Sequence, residues 1–471
     1  MNERLQTMRE RLRSGGHKAV RRGPVADLTA QCDAEGLSWM QRIARLTVCQ
    51  CRSEQPVIEH DEQIAFTRTV PNVPEIYSRH DFARLTAGRK LHESGPVNNI
   101  TPDWPALLAQ GLLGRREIAV AAQAGAADAA SREFITAAIE SIDATLELAG
   151  RYAQHARNVG RDDMAEILAR VPALPARTFH EALQSIRLTH AIGWMIGHYQ
   201  IGLGRFDQYA WPLLDADLRA GRLTVAAAEE LLAEFFMSLN KDSDLYPGVQ
   251  QGDNGQTLML GGVRPDGSDG VNELTHMCLR AMLDVAMIDP KINLRIDRNT
   301  DPALLELATR LTRKGLGFPQ YSNDDVVIPA LVECGYTLED ARDYTVAACW
   351  EFIIPGKGME VVNIGAVSLP HAADTAIRSG LAAGDDFDGI LRRAQADISR
   401  QTRELVDSYR TLLLPPAPYL SVLMDDCLTA GKDISLGGKY NNFGVHGACP
   451  ANAADSLVAV RKLVFQDKII S

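Results

Sequence analysis

The later part of this chain alternates between short apolar strands and helices, and that alternation restricts its fold more than any other feature. Thr257-Leu-Met-Leu-Gly-Gly-Val263 reads as a strand from its apolar content, and Lys291-Ile-Asn-Leu-Arg-Ile-Asp297 from its period of two. Helices predicted at residues 302–314 and 338–343 stand between these strands and a further one that enters Cys349. Strands separated by helices cannot be joined by tight turns. They pair in parallel, which implies an α/β core with its active residues at strand ends. Earlier in the chain the texture is helical: residues 1 to about 60, an Ala-rich region over 104–168, 179–220 with a break at Gly202-Leu-Gly204-Arg205, and 225–240. Residues 57–103 are punctuated by Pro71, Pro74 and Pro96 and read as loop. A helical region over 386–414, a Gly-rich loop over 437–444 and a last helix over 453–466 complete the pattern.

The chain has 471 residues, of which 46% are hydrophobic and 23% charged, enough to bury a large core. Its formal net charge of -11 excludes nucleic acid and anionic membrane as natural partners, because both reward a basic surface. The basic cluster Arg9, Arg11, Arg13, Lys18, Arg21 and Arg22 is interspersed with glutamate at helical spacing, as on a solvated amphipathic helix. Eight cysteines in a chain this long do not make a disulfide framework, and Cys49 and Cys51 are too close to cross-link easily. No apolar run approaches the ~20 residues that span a bilayer. A soluble protein of the reducing cytoplasm is expected.

Tyr344-Thr-Val-Ala-Ala-Cys349-Trp-Glu351-Phe-Ile-Ile-Pro-Gly-Lys357 carries the chemistry. If this segment is extended, Cys349 and Glu351 share one side and Trp350 the other. Ala347, Ala348 and Phe352 make the surroundings apolar, which disfavours a thiolate and suits a neutral thiol that gives up and takes back a hydrogen atom. The competing reading is a buried structural cysteine near a surface glutamate. Other constellations are weaker. His180-Glu181 and His190/His198 lack HExxH spacing, and core or surface histidines explain them better than a metal. Gly202-Leu-Gly204-Arg205 and Lys314-Gly-Leu-Gly-Phe-Pro319 are ordinary turns rather than phosphate loops. No GxSxG elbow occurs, and a histidine to activate the thiol could come only from a distance, as from His446.

Several segments taken in order resemble the pyruvate formate-lyase family of glycyl radical enzymes. They are Phe179-His-Glu-Ala-Leu-Gln184, Gly204-Arg205-Phe-Asp207-Gln208-Tyr209, Asn272-Glu273-Leu-Thr275, Gly315-Leu-Gly317-Phe-Pro319, Asn323-Asp324-Asp325 with Ile328-Pro329, Asp340-Ala-Arg342-Asp343-Tyr344 and Ala454-Asp455-Ser456-Leu457. The similarity runs from about residue 60 to nearly the last residue. It implies an α/β barrel of ten strands surrounded by helices, here incomplete, following an N-terminal helical segment of residues 1–60. By this resemblance Cys349 becomes a thiyl radical and takes hydrogen from substrate. Members that form thiol esters with coenzyme A have two adjacent cysteines, whereas here the neighbour is Ala348. Cys-x-Glu resembles the dehydratase, amine-lyase, sulfur-lyase and decarboxylase branches, in which Glu351 would take a proton from the substrate hydroxyl. His198, in Gly197-His198 before Gly204-Arg205, matches a substrate-binding histidine of diol dehydratases. Trp350, Asp297 and Asn363 join it as substrate-binding candidates. Asn363 replaces an acidic partner and cannot shuttle a proton at ordinary pH. Asp297 stands where the family often has histidine.

The family's Arg-Val-x-Gly-Tyr loop, whose glycine stores the radical, does not occur in this sequence. Three arrangements account for that: a separate radical-bearing subunit, a fragment of a longer polypeptide, or a degenerate homologue that binds without turnover. We expect the first. Its partners would be a small-molecule substrate, the glycyl-radical-bearing subunit and an S-adenosylmethionine-dependent iron–sulfur activase, with no metal or cofactor bound directly by this chain. Homo-oligomerisation stays open.

Overall fold

The computed structural model describes residues 1–91, 96–245, 255–361 and 363–470, and internal contacts divide the chain into two compact units. The first comprises Met1–Arg79, Pro96–Met359 and Pro415–Asn441. The second comprises His80–Gly95, Glu360–Leu414 and Asn442–Ser471.

In the first unit the Ala-rich region forms the helices Trp104–Ala124, Ala129–Asn158 and Asp162–Leu168, as its periodicity requires. Ala138, Ala149 and Ala153 are buried along Ala129–Asn158, where small side chains let the neighbouring helices Trp39–Ser53 and Trp104–Ala124 approach closely. Thr178 caps Phe179–Met195, every residue of which except His180 is buried.

The strand–helix alternation produces a parallel sheet, in which β2 and β3 are the two expected strands and β1 and β4 join them. Its strands are β1 (Gly204–Arg205), β2 (Thr257–Gly261), β3 (Lys291–Ile296) and β4 (Gln320–Asn323), in spatial order β1-β2-β3-β4. Helix Glu273–Val285 connects β2 to β3 and opens on a capping box between Asn272 and Thr275. Helix Pro302–Thr312 connects β3 to β4, with Asp301 as cap and proline at its first position. The parallel register aligns Arg205, Met259, Asn293 and Gln320 across the sheet, and Thr257 with Lys291. Side chains alternate, so Lys291, Asn293 and Arg295 share one face with Thr257 and Met259. Leu258, Leu260, Ile292 and Leu294 form the other, fully buried face. Among the described residues these four strands form an open sheet.

The strand entering Cys349 does not extend that sheet. It is β5 (Thr345–Ala347), paired antiparallel with β6 (Glu351–Ile353). Met259 from the sheet and Tyr344 and Val346 from the hairpin share a hydrophobic cluster with Val327, Leu331 and Ile354, which seats the hairpin on the Met259 face.

In the second unit, helices Leu369–Ala383, Phe387–Ser408 and Pro450–Val460 close around Ala376, Ile390, Ala394, Leu457 and Val460. Ala366–Ser368 pairs in parallel with His446–Ala448. Other sequence expectations change as well. The stretch read as loop over 57–103 holds a helix, Arg79–Ala87, which has no buried residue and so shows no apolar stripe. The last helix begins at Pro450, earlier than expected, and passes into a π-helix at Arg461–Gln466. Among the described residues no helix is long and apolar enough to cross a membrane.

Candidate functional site at the Cys349 hairpin

Ala347 and Glu351 are cross-strand partners, which leaves Ala348, Cys349 and Trp350 as a three-residue tip. Reversal within so few residues needs a left-handed backbone, supplied by Ala348 at φ 57°. The cost for a residue with a Cβ is offset by local contacts. Thr257 Oγ1 donates to the Ala348 carbonyl at 2.6 Å, and Gly255 lies against the Ala348 backbone. The segment is therefore not extended, and Cys349 and Glu351 do not lie side by side on one strand. Instead the Glu351 carboxylate folds back over the tip. Its Oε2 accepts from the Cys349 N–H at 2.8 Å and from the Trp350 N–H at 2.9 Å, and Oε1 takes no part in these bonds. The carboxylate thus organises the turn that presents the thiol. Cys349 is half-buried, and Trp350 is 68% exposed.

Ala347 and Ala348 are buried as expected, but the thiol's setting is not purely apolar. The Lys291 ammonium reaches Cys349 Sγ at 3.7 Å from the start of β3. Sequence reading missed Lys291 because three helices and two strands separate its strand from Cys349. Only the seating of the hairpin on the sheet brings the two together.

His198 follows the helix Phe179–Met195 through Gly197, whose φ of 87° turns the chain, and its N–H bonds the Gly193 carbonyl at 2.9 Å. The ring is fully buried, which pushes its pKa down to about 4 and keeps it neutral. Nδ1 bonds the Val97 carbonyl at 2.9 Å; a carbonyl only accepts, so the proton sits on Nδ1 and Nε2 is left as a buried acceptor without a partner. The same segment leads to the hairpin. Gln200 packs against Gly255, and the Leu203 N–H bonds the carbonyl of Thr257, the residue whose hydroxyl holds Ala348.

Asp297 is not brought to the thiol. It lies just beyond the end of β3 opposite Lys291, and six extended residues span roughly 20 Å. There its carboxylate accepts from the Asn299 N–H at 2.8 Å and so shapes the turn into the next helix. Asn363 belongs to the second unit, half-buried there.

Two charged assemblies hold the hairpin in place. Asp324 receives a two-pronged bond from Arg295, at 2.7 and 2.9 Å, and the Tyr344 hydroxyl at 2.7 Å; Arg295 also stacks over the Tyr344 ring at 4.0 Å. Asp340 gathers Lys357, Lys439 and the Tyr440 hydroxyl, each at 2.6 Å, and these bonds hold its carboxyl well below the usual range. Asp324, Asp340 and Tyr344, from the segments that carry the family resemblance, thus act as supports for the hairpin. Among the described residues no group of three or more histidine, cysteine or acidic side chains is arranged to hold a metal ion.

Comparison with known proteins places the chain among sequence relatives and structural neighbours. The chain is 29% identical to a (2S)-3-sulfopropanediol dehydratase of Klebsiella oxytoca, over 72% of this chain and 46% of that protein. It is also 29% identical to an isethionate sulfite-lyase of Nitratidesulfovibrio vulgaris, over 68% of this chain and 43% of the relative. The alignments thus span somewhat less than half the length of these curated relatives. Among solved structures, a glycerol-bound B12-independent glycerol dehydratase from Clostridium butyricum superposes with a TM-score of 0.83 at 23% identity, covering 100% of this chain and 72% of that one. A glycyl radical enzyme from Archaeoglobus fulgidus does so with a TM-score of 0.78 at 19% identity, covering 98% and 72%. These likenesses give the fold as that of the glycyl radical enzymes, mixed α/β. The model of the pyruvate formate lyase-like family matches residues 75–471, and the chain belongs to that family.

Proposed function

We propose that this chain is the thiyl-bearing catalytic part of a glycyl radical lyase of the eliminase type, acting on a small hydroxylated metabolite. The observation that carries the reading is the Cys349 hairpin: a half-buried thiol on a three-residue tip, organised by the carboxylate two residues on. The dehydratase and sulfite-lyase relatives support elimination as the reaction class. The radical would reach Cys349 from a glycine on a separate subunit, installed there by an S-adenosylmethionine-dependent activase.

In this reading Cys349 takes a hydrogen atom from the hydroxyl-bearing carbon and becomes a thiol. Glu351 accepts the hydroxyl proton, and the neighbouring carbon expels its oxygen, nitrogen or sulfur substituent with the bonding pair. The product radical then recovers hydrogen from Cys349. His198, neutral with Nε2 as acceptor, suits a hydrogen bond from a substrate hydroxyl.

The test mixes the chain with a candidate glycine-loop protein and its activase under strict anaerobiosis, following electron spin resonance and product. Elimination predicts release of water, amine or sulfite. Cys349→Ser should abolish product while the radical on the partner persists, and turnover unaltered by that substitution rejects the assignment. Release of carbon dioxide would identify a decarboxylase instead. Ligand binding without any product would identify a binding homologue.

A further inference from the structure

We infer that Lys291 is a substrate-binding residue and that the substrate carries an anionic group, a carboxylate, sulfonate or phosphate, next to the carbon that Cys349 attacks. The inference rests on the eliminase reading of Cys349 and adds to it the charge class of the substrate.

Lys291 differs from several buried cations of its unit. Lys and Arg side chains that reach a protein interior are paired with carboxylates, because an uncompensated charge is costly to desolvate. In this unit Arg295 pairs with Asp324, Arg187 with Asp242, Lys241 with Glu62, Arg205 with Asp343 and Lys357 with Asp340. Lys291 is only partly exposed and, among the described residues, has no carboxylate within ion-pair distance. Its ammonium is directed at Cys349 Sγ, 3.7 Å away. Glu351, the carboxylate nearest Cys349 in sequence, uses an oxygen on the tip amides.

An ammonium beside a thiol favours the thiolate, yet hydrogen-atom return requires the sulfur to carry its hydrogen. A lysine serving the sulfur alone would therefore oppose the reaction proposed for Cys349. A substrate anion seated on the ammonium removes that conflict. It neutralises the charge at the sulfur, and it anchors one end of the substrate within a few ångströms of the attacking atom. Lys291 also begins β3, so a regular strand fixes its Cα relative to Thr257, which holds the Cys349 tip. Anchor and attacking atom are thus placed by one framework.

The experiment needs no radical. Alkylation of Cys349 by iodoacetamide, an uncharged reagent, is followed by mass spectrometry of its peptide in the whole chain, at ionic strength held constant with sodium chloride. The probes are glycerate, sulfate and glycerol; glycerate and glycerol share a carbon skeleton and differ in charge. Saturable protection by glycerate or sulfate is expected, with none from glycerol at the same concentration. Lys291→Met should raise the half-protecting anion concentration at least tenfold, and Lys291→Arg should stay within a few-fold of the parent. Circular dichroism confirms that each variant is folded, and Lys291→Gln replaces the methionine variant if that one is not. Equal protection by glycerol, protection undiminished in the neutral variants, or no protection by either anion overturns the inference. So does a changed alkylation rate in Lys291→Met with anion protection intact, which would assign the lysine to the sulfur alone. If anion binding holds while the activated mixture forms no elimination product, the eliminase reading fails and the subsite stands. Turnover of an uncharged substrate with no anion protection does the opposite: the eliminase reading stands and the anion subsite fails.

Discussion

Removing the Asp324 carboxylate should loosen the Cys349 hairpin from a distance. Asp324 compensates Arg295, whose side chain is 0% exposed, and also accepts from the Tyr344 hydroxyl and the Val263 N–H. Asp324→Ala strands a buried guanidinium and leaves that hydroxyl and amide without their acceptor. Breaking one side of a buried pair costs about 3–5 kcal/mol, most of it the uncompensated charge. Unfolding entropy is about 2.1 cal/mol/K per residue, so a chain of 471 residues loses roughly 1 °C of melting temperature per kcal/mol. Differential scanning calorimetry should therefore show a fall of roughly 3–5 °C if the chain melts cooperatively. Because Tyr344 immediately precedes β5, alkylation of Cys349 by iodoacetamide should accelerate as well. The double variant Asp324→Leu/Arg295→Met removes both charges and should recover much of the loss, since an apolar pair of similar volume often matches a buried ion pair. A melting temperature within a degree of the parent in Asp324→Ala, or a double variant no better than the single, would refute the reasoning.

Three further outcomes follow from the geometry. Glu351→Gln keeps an oxygen to accept the tip amides but cannot take a proton, so activated turnover should fall by about 10²–10⁴ while Cys349 alkylation is unchanged; equal turnover excludes Glu351 as base. Gly255→Ala would set a Cβ 2.9 Å from the Ala348 Cα at a backbone φ of 64°, and should displace the tip, seen as altered Cys349 alkylation in a folded protein. His190 is buried and its pKa is pushed down to about 4, so between about pH 6.5 and 4 the unfolded chain takes up a proton that the folded one refuses, and stability falls as pH drops through that range. At pH 5 this amounts to about 2 kcal/mol for the single ring. Urea titrations at pH 7.5 and 5 should show a smaller acid loss in His190→Gln, and parallel losses would show that His190 is not responsible.

Local pattern carried much of the fold. The alternation of β2 and β3 with helices dictated parallel pairing, because no tight turn can join such strands, and the Ala-rich periodicity marked the packed helices over 104–168. The sequence also offered Cys349 and Glu351 as candidates, through the ordered segments that carry the family resemblance more than through their immediate neighbours. Long-range placement was not legible. Lys291 reaches Cys349, and Thr257 holds the tip, only because the Met259 face of the sheet receives the hairpin. Asp297 lies just past the far end of the strand that Lys291 begins, a separation that residue type cannot disclose. The reversal at Ala348 was hidden for the same reason: alanine ordinarily avoids a left-handed backbone, and it adopts one here because contacts from Thr257 and Gly255 hold it there. The parallel pairing of β2 with β3 is thus a property of the chain read locally, whereas the order of the whole sheet, the charge beside the Cys349 thiol and the turn that presents it exist only once distant segments pack together.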